Sequence, residues 1–192
     1  MQNYNIRGIF LLSFVAAITA TICDGYHVYT HTLSYPNPLL FNQAWWVFPS
    51  FFLAFSSMAI NYLQLIHALP NTIATTESQT SGSLEHLIES LILFVMVYLL
   101  SAFGNNDPSM LSIIFYSTFI IRLFFSYERI FLTIIAIILA IAGMFFEGLL
   151  SHLELVAYHH VDIFYVPWWL GGLYMHGAFA LRSGMRYFVY NK

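Results

Sequence analysis

Residues 129–147 read Arg-Ile-Phe-Leu-Thr-Ile-Ile-Ala-Ile-Ile-Leu-Ala-Ile-Ala-Gly-Met-Phe-Phe-Glu, with a cation at one end, a carboxylate at the other and no charge between. As a helix rising about 1.5 Å per residue, this stretch separates Arg129 from Glu147 by about 27 Å, close to the thickness of a bilayer's hydrocarbon core. Arg7 and Asp24 frame a second such stretch, in which the charges lie about 25 Å apart by the same rise. The remaining cations, Arg122, Arg182, Arg186 and Lys192, are separated from these by apolar runs that pair into even numbers of crossings. Every positive charge then falls on one side. The distribution predicts an all-α, polytopic membrane protein: a compact bundle of six transmembrane helices with both termini cytoplasmic.

Composition agrees, with 59% hydrophobic, 19% aromatic and 8% charged residues and a mean hydropathy of +0.73, values outside the range of a soluble domain. Uninterrupted apolar length places spans at roughly 6–30, 45–66, 87–103, 109–126, 129–156 and 166–188 within a single domain covering residues 1–192. Pro36 and Pro38, the polar run around Gly82, and Gly104 to Pro108 mark connections. Nothing in the sequence reads as an internal repeat. The alternative for the first segment is a secretory signal cleaved near Thr21, from Arg7, a short apolar run and the small residues Ala17 to Ala20. A lone cysteine, Cys23, excludes an internal disulfide, and a net charge of −3 with scattered cations excludes a nucleic-acid footprint.

Sidedness sorts the polar residues. His67, Glu77, Glu85, His86, Glu89 and Glu128 fall on the cytoplasmic side, whereas Asp24, His27, His31, Asp107, Glu147, His152, Glu154, His159, His160 and Asp162 gather on the other with no cation. Asp24, His27 and His31 follow i, i+3, i+7, which stacks them on one helical face, as do Glu147, Ser151 and Glu154. Asp24, His27, His31, Glu147 and His152 therefore form a candidate site for a divalent metal such as zinc, iron or copper. The competing account is that interfacial histidines and carboxylates are solvated, pair with one another and cap helices without binding anything.

His176 falls near the bilayer midplane among Gly171, Gly172 and Gly177, where an unpaired ring is costly, so a hydrogen bond to a neighbouring helix is expected. Arg122 is expected to reach the cytoplasmic face or pair with Glu85 or Glu89. Trp45, Trp46, Tyr165, Trp168 and Trp169 read as an aromatic belt at the non-cytoplasmic ends of spans.

Three stretches carry a family resemblance. Asp162-Ile-Phe-Tyr-Val-Pro-Trp-Trp-Leu170, running on to Gly177 and Arg186, resembles the closing segment of the Insig family of sterol-responsive membrane regulators and their prokaryotic homologues. Ala44-Trp-Trp-Val-Phe-Pro49 is similar to that family's entrance to its second span, and Asn105-Asn106 occupies the place of an Asn pair between its third and fourth. The resemblance covers most of the chain from Ala44 onward. It implies a six-helix bundle whose central cleft takes a sterol or a diacylglycerol-type lipid and which regulates a partner membrane protein; no chemistry is implied by it. Carried over to this chain, it implies a cleft lined by Trp46, Phe52, Leu91, Val95, Ser112, Phe115 and Phe119. A second stretch, Asp24-Gly-Tyr-His27 followed by Pro49-Ser50, resembles the metal-binding region of the C subunit of copper membrane monooxygenases, with Phe51 where that region has a histidine ligand.

Two functions follow. One is a lipid-binding module without a catalytic residue or cofactor beyond its lipid, in the endoplasmic reticulum of a eukaryote or the inner membrane of a prokaryote. The other is a metal-dependent intramembrane enzyme or oxidoreductase subunit, whose open coordination position activates water or dioxygen.

Overall fold

The computed structural model describes residues 5–74 and 79–190; Glu77 and Lys192 lie outside them. Six helices form: α1 (Ile6–Tyr29), α2 (Val47–Ala68), α3 (Leu84–Phe103), α4 (Pro108–Phe124), α5 (Arg129–His152) and α6 (Trp169–Gly184), the last running into a π-helical turn at Met185–Val189. Side chains fix several starts. Asn5 accepts a hydrogen bond from the Gly8 N–H, Ser83 from that of His86 and Asp107 from that of Met110, each satisfying a donor the helix leaves unpaired. Helices α1, α2, α3 and α5 are long and apolar enough to cross a bilayer. The 17 residues of α4 reach only about 25 Å. The chain is an integral membrane protein.

Helix α6 packs against α3, α4 and α5, while α1 packs against α2, α3 and the π-helical turn. Two apolar cores result. One, toward the end that carries Arg129, Arg182 and Arg186, joins Leu12, Tyr62, Phe131, Leu132 and Met185; the other joins Cys23, Tyr98, Phe115, Trp169 and Leu173. The chain's two ends meet: Asn5 N–H donates to the Val189 carbonyl at 3.3 Å. Gly8 makes this approach feasible, since a Cβ there would lie 1.9 Å from the Phe188 carbonyl oxygen. Helix α1 is continuous through Thr21.

The fold contains an internal repeat that the sequence reading did not find. Hairpin α1–α2 and hairpin α5–α6 correspond at an offset of 123 positions, the separation of Asp24 and Glu147 (147 minus 24). Helices α1 and α5 are both 24 residues long and begin at that offset. All six non-glycine residues with positive φ among those described fall into matching pairs: His31 with Glu154, Phe41 with Phe164, and Asn42 with Tyr165. The helix-terminating hydrogen bonds match too, His31 N–H to Val28 O against Glu154 N–H to Ser151 O, and Thr32 N–H to His27 O against Leu155 N–H to Leu150 O.

The two hairpins meet at a short antiparallel ladder of β1 (Leu33–Ser34) and β2 (Ala157–Tyr158), in which Ser34 faces Ala157, its own counterpart. Equivalent segments paired about their equivalent residue are related by a local two-fold axis. Pairwise identity across the repeat is sparse, which hid it. Ala17/Ala140, Ile18/Ile141, Gly25/Gly148, Tyr35/Tyr158, Phe41/Phe164 and the Trp-Trp pairs 45–46 and 168–169 are the identical positions between residues 5 and 67 and their counterparts.

Helix ends correct three sequence expectations. The fifth segment stops at His152 instead of continuing to 156, because Glu154 takes a left-handed backbone with φ 57°. His31, φ 58°, likewise lies beyond α1, so neither the Asp24–His27–His31 face nor the Glu147–Ser151–Glu154 face is a continuous helical stack. The sixth helix starts at Trp169, after a turn in which Val166 N–H bonds back to Ile163 O.

Candidate functional site

The repeat brings two carboxylates to the end of the bundle opposite the arginines. Asp24, 3% exposed, accepts hydrogen bonds on Oδ2 from the Tyr35 hydroxyl (2.8 Å) and from Gln43 Nε2 (2.7 Å). Glu147 accepts from the Tyr158 hydroxyl (3.1 Å) and the Tyr174 hydroxyl (3.0 Å). In each hairpin the carboxylate near a helix end is held by the tyrosine 11 residues later. The strand pairing places these tyrosines, and Asp24 and Glu147 are close enough to interact electrostatically. Burial and the neighbouring charge of Asp24 push the Tyr35 phenol above its ordinary range, and burial and Glu147 do the same for Tyr158. Both phenols stay protonated and donate.

Tyr35, Glu147, Tyr158 and Tyr174 are half-buried and converge through these hydrogen bonds at one end of the bundle. Gly143 makes room for the Tyr174 ring: a Cβ there would lie 2.5 Å from it. Helix α3 adds Tyr98, whose ring lies 4.9 Å from that of His27. His27, 2% exposed, approaches Ser101 Oγ with Nε2 at 2.8 Å, and Ser101 donates to the Tyr98 carbonyl at 2.6 Å. His27 Nε2–H is thus the donor, and the pair clamps α1 to α3. Thr32 adds a bond from Oγ1 to the Ala102 carbonyl.

The metal set drawn from the sequence does not assemble. Among the described residues no three His, Cys, Asp or Glu side chains converge as a metal would need. Asp24 and His27 are buried with other partners, and Glu147 is held by two tyrosines. His31 is exposed past the end of α1, and the His152 ring lies 5.0 Å from that of Tyr165, tilted by 40°. Helical spacing failed because the helices end before the third residue of each stack.

His176, 1% exposed, sits 3.0 Å from the Phe115 carbonyl and 3.2 Å from Thr118 Oγ1 through Nε2, and 2.9 Å from Arg122 Nη1 through Nδ1. Arg122 donates only, so Nδ1 accepts and Nε2 carries the proton. The Arg122 guanidinium also lies over the Phe179 ring at 4.1 Å. It makes no ion pair with Glu85 or Glu89 among the described residues; both are exposed on α3, with Glu89 within electrostatic reach. Glu128, read from sequence as a cytoplasmic surface acid, is instead 4% exposed and ion-paired with Arg182.

The seven residues implied to line a lipid cleft divide among interfaces. Trp46 packs edge-on against Tyr35, and Phe52 against Phe10 of α1. Phe115 and Phe119 are buried between α4 and α6 against Trp169, His176 and Phe179. Leu91 and Val95 lie half-buried on α3, and the Ser112 hydroxyl bonds the Pro108 carbonyl. Sequence reasoning missed Tyr35, Gln43, Tyr98, Tyr158 and Tyr174. The one available signal was Asp24-Gly25 and Glu147-Gly148, each followed by a tyrosine at the same distance.

A six-helix bundle with buried polar groups and its two ends together defines a polytopic membrane protein of Insig-like fold. The likeness is to MvINS, the mycobacterial Insig homologue from Mycobacterium vanbaalenii, at a TM-score of 0.72 and 18% identity over 95% of both chains. A cross-linked trimeric form of MvINS superposes equally well, at 0.72 and 18% over 96% of both chains. No protein-family model matches the sequence, and no curated protein does.

Proposed function

We propose that this protein is an Insig-like, non-enzymatic membrane protein that holds one neutral lipid of the sterol or diacylglycerol type inside its bundle and, in that state, regulates a partner membrane protein. The observation that carries the reading is the convergence of a few polar side chains, Asp24 and Glu147 with Tyr35, Tyr158 and Tyr174, at one end of a largely apolar membrane bundle. Sites for small amphiphiles are mostly apolar with a few convergent polar groups. The Insig-like fold supports the same reading. With the arginine-bearing end cytoplasmic, this polar cluster lies toward the opposite face of an endoplasmic reticulum or prokaryotic inner membrane.

Lipid carried through purification in mild detergent, identified by mass spectrometry, tests this. One neutral lipid per chain, lost on delipidation and restored on adding it back, is the expected result. A protein that retains and rebinds no lipid overturns it.

A further inference from the structure

The end of the bundle that carries the arginines holds a groove of about 560 Å³ between the α2–α3 connection and the turn from α4 into α5. The connection contributes Thr72 and Ile73, and the turn contributes Phe124, Phe125, Tyr127 and Arg129. Arg129 is fixed by two contacts: its Nε–H donates to the Ser126 carbonyl at 3.0 Å, and its guanidinium lies over the Phe124 ring at 5.1 Å. Its Nη groups bond nothing among the described residues. Glu128, on the same lining, is buried and ion-paired with Arg182, so it offers the groove no free carboxylate. The lining is left positive. No side chain caps the start of α5 either, and its first N–H groups carry the partial positive charge of a helix start. A phosphate in the groove meets a guanidinium suited to bidentate bonding, with the helix start beside it.

The surroundings select the source of the phosphate. Phe124, Phe125 and Ile130 are each more than half exposed and lie where α4 ends and α5 begins, at the boundary of hydrocarbon and cytoplasm. A free phosphate leaves these side chains bare, whereas a phospholipid covers them with its acyl chains. We propose that the groove seats the headgroup of an anionic phospholipid of the cytoplasmic leaflet, its phosphate on Arg129 and its acyl chains along Phe124, Phe125 and Ile130. Basic pockets on the cytoplasmic side of membrane bundles suit such headgroups. The site lies at the opposite end from Asp24 and Glu147 and is independent of the function proposed above.

Native mass spectrometry of the delipidated full chain, titrated with dioleoylphosphatidylglycerol or dioleoylphosphatidylcholine, tests this, because the two lipids share acyl chains and phosphate and differ in net charge. The wild type is expected to bind the anionic lipid about tenfold more tightly. Arg129→Gln is expected to cut that preference to about twofold, since one cation near a membrane surface contributes about fivefold. Thr72→Glu, which adds a carboxylate at an exposed position of the lining and leaves Arg129 in place, is expected to do the same. Arg7→Gln, at an exposed cation of the same end outside the groove, is expected to leave the preference intact. Equal wild-type binding of the two lipids overturns the proposal, and so does an equal loss in Arg7→Gln and Arg129→Gln, the mark of general surface charge. Displacement of the phosphatidylglycerol by millimolar inorganic phosphate would make a free anion the occupant, and an oligomer that Arg129→Gln dissociates would make it a second copy of the chain; either result overturns the proposal. The wild-type comparison and Thr72→Glu decide even where Arg129→Gln fails to fold.

Discussion

Asp24 and Glu147 occupy the same position in two equivalent hairpins, and each accepts a hydrogen bond from the tyrosine 11 residues further along the chain, Tyr35 and Tyr158. The equivalence extends through helix length, terminating hydrogen bonds and every positive-φ residue described. It concentrates acid at one end of the molecule without clustering it in sequence.

Equivalent residues should have equivalent effects. Tyr35→Phe and Tyr158→Phe each remove one hydrogen bond to a carboxylate, a loss of about 1–3 kcal/mol. Thermal unfolding in detergent should show comparable drops in midpoint for the two. Tyr127→Phe, at a residue 94% exposed, should change stability by less than about 0.5 kcal/mol.

Buried Glu128 and half-buried Arg182 form an ion pair linking the start of α5 to α6. Glu128→Ala leaves the guanidinium without its carboxylate and should cost about 3–5 kcal/mol. The double variant Glu128→Gln with Arg182→Met should recover a substantial part, measured as a coupling energy in a double-mutant cycle.

His176→Ala removes the acceptor for Arg122 between α4 and α6 and opens a cavity beside Phe115 and Phe119. The expected loss is about 2–4 kcal/mol, read from denaturant midpoints. His176→Gln, which retains an acceptor and a donor, should lose less.

An alanine in a helix interior normally stabilises by about 1 kcal/mol relative to glycine. Gly8→Ala should do the reverse, because its Cβ would meet the Phe188 carbonyl oxygen, and the expected destabilisation is about 1–3 kcal/mol. Calorimetry or proteolysis of the variant checks the sign.

The spans were legible because apolar length and charge placement are local properties: Arg129 to Glu147 alone sets the scale of a crossing. Helix ends were less so, since His31 and Glu154 leave the helix through left-handed backbone that neither residue type announces. The acidic end was recognised, but its partners were not. Tyr35 and Tyr158 reach Asp24 and Glu147 only through the strand pairing of residues far apart in the chain. His27 looked like a metal ligand by spacing and is a clamp to Ser101 because α3 lies beside it. The repeat itself escaped notice because its residues are mostly dissimilar, while their backbone conformations and hydrogen bonds coincide.

The two hairpins meet face to face at β1 and β2, where Ser34 opposes Ala157. Opposed residues of an antiparallel pair have Cα atoms about 4.5–5.5 Å apart, within the span a disulfide bridges. With Cys23→Ala removing the native thiol, Ser34→Cys combined with Ala157→Cys should form an intramolecular disulfide on mild oxidation, seen as a monomer that no longer takes up a thiol label. Two thiols that remain fully reactive, or that link only between molecules, would contradict it.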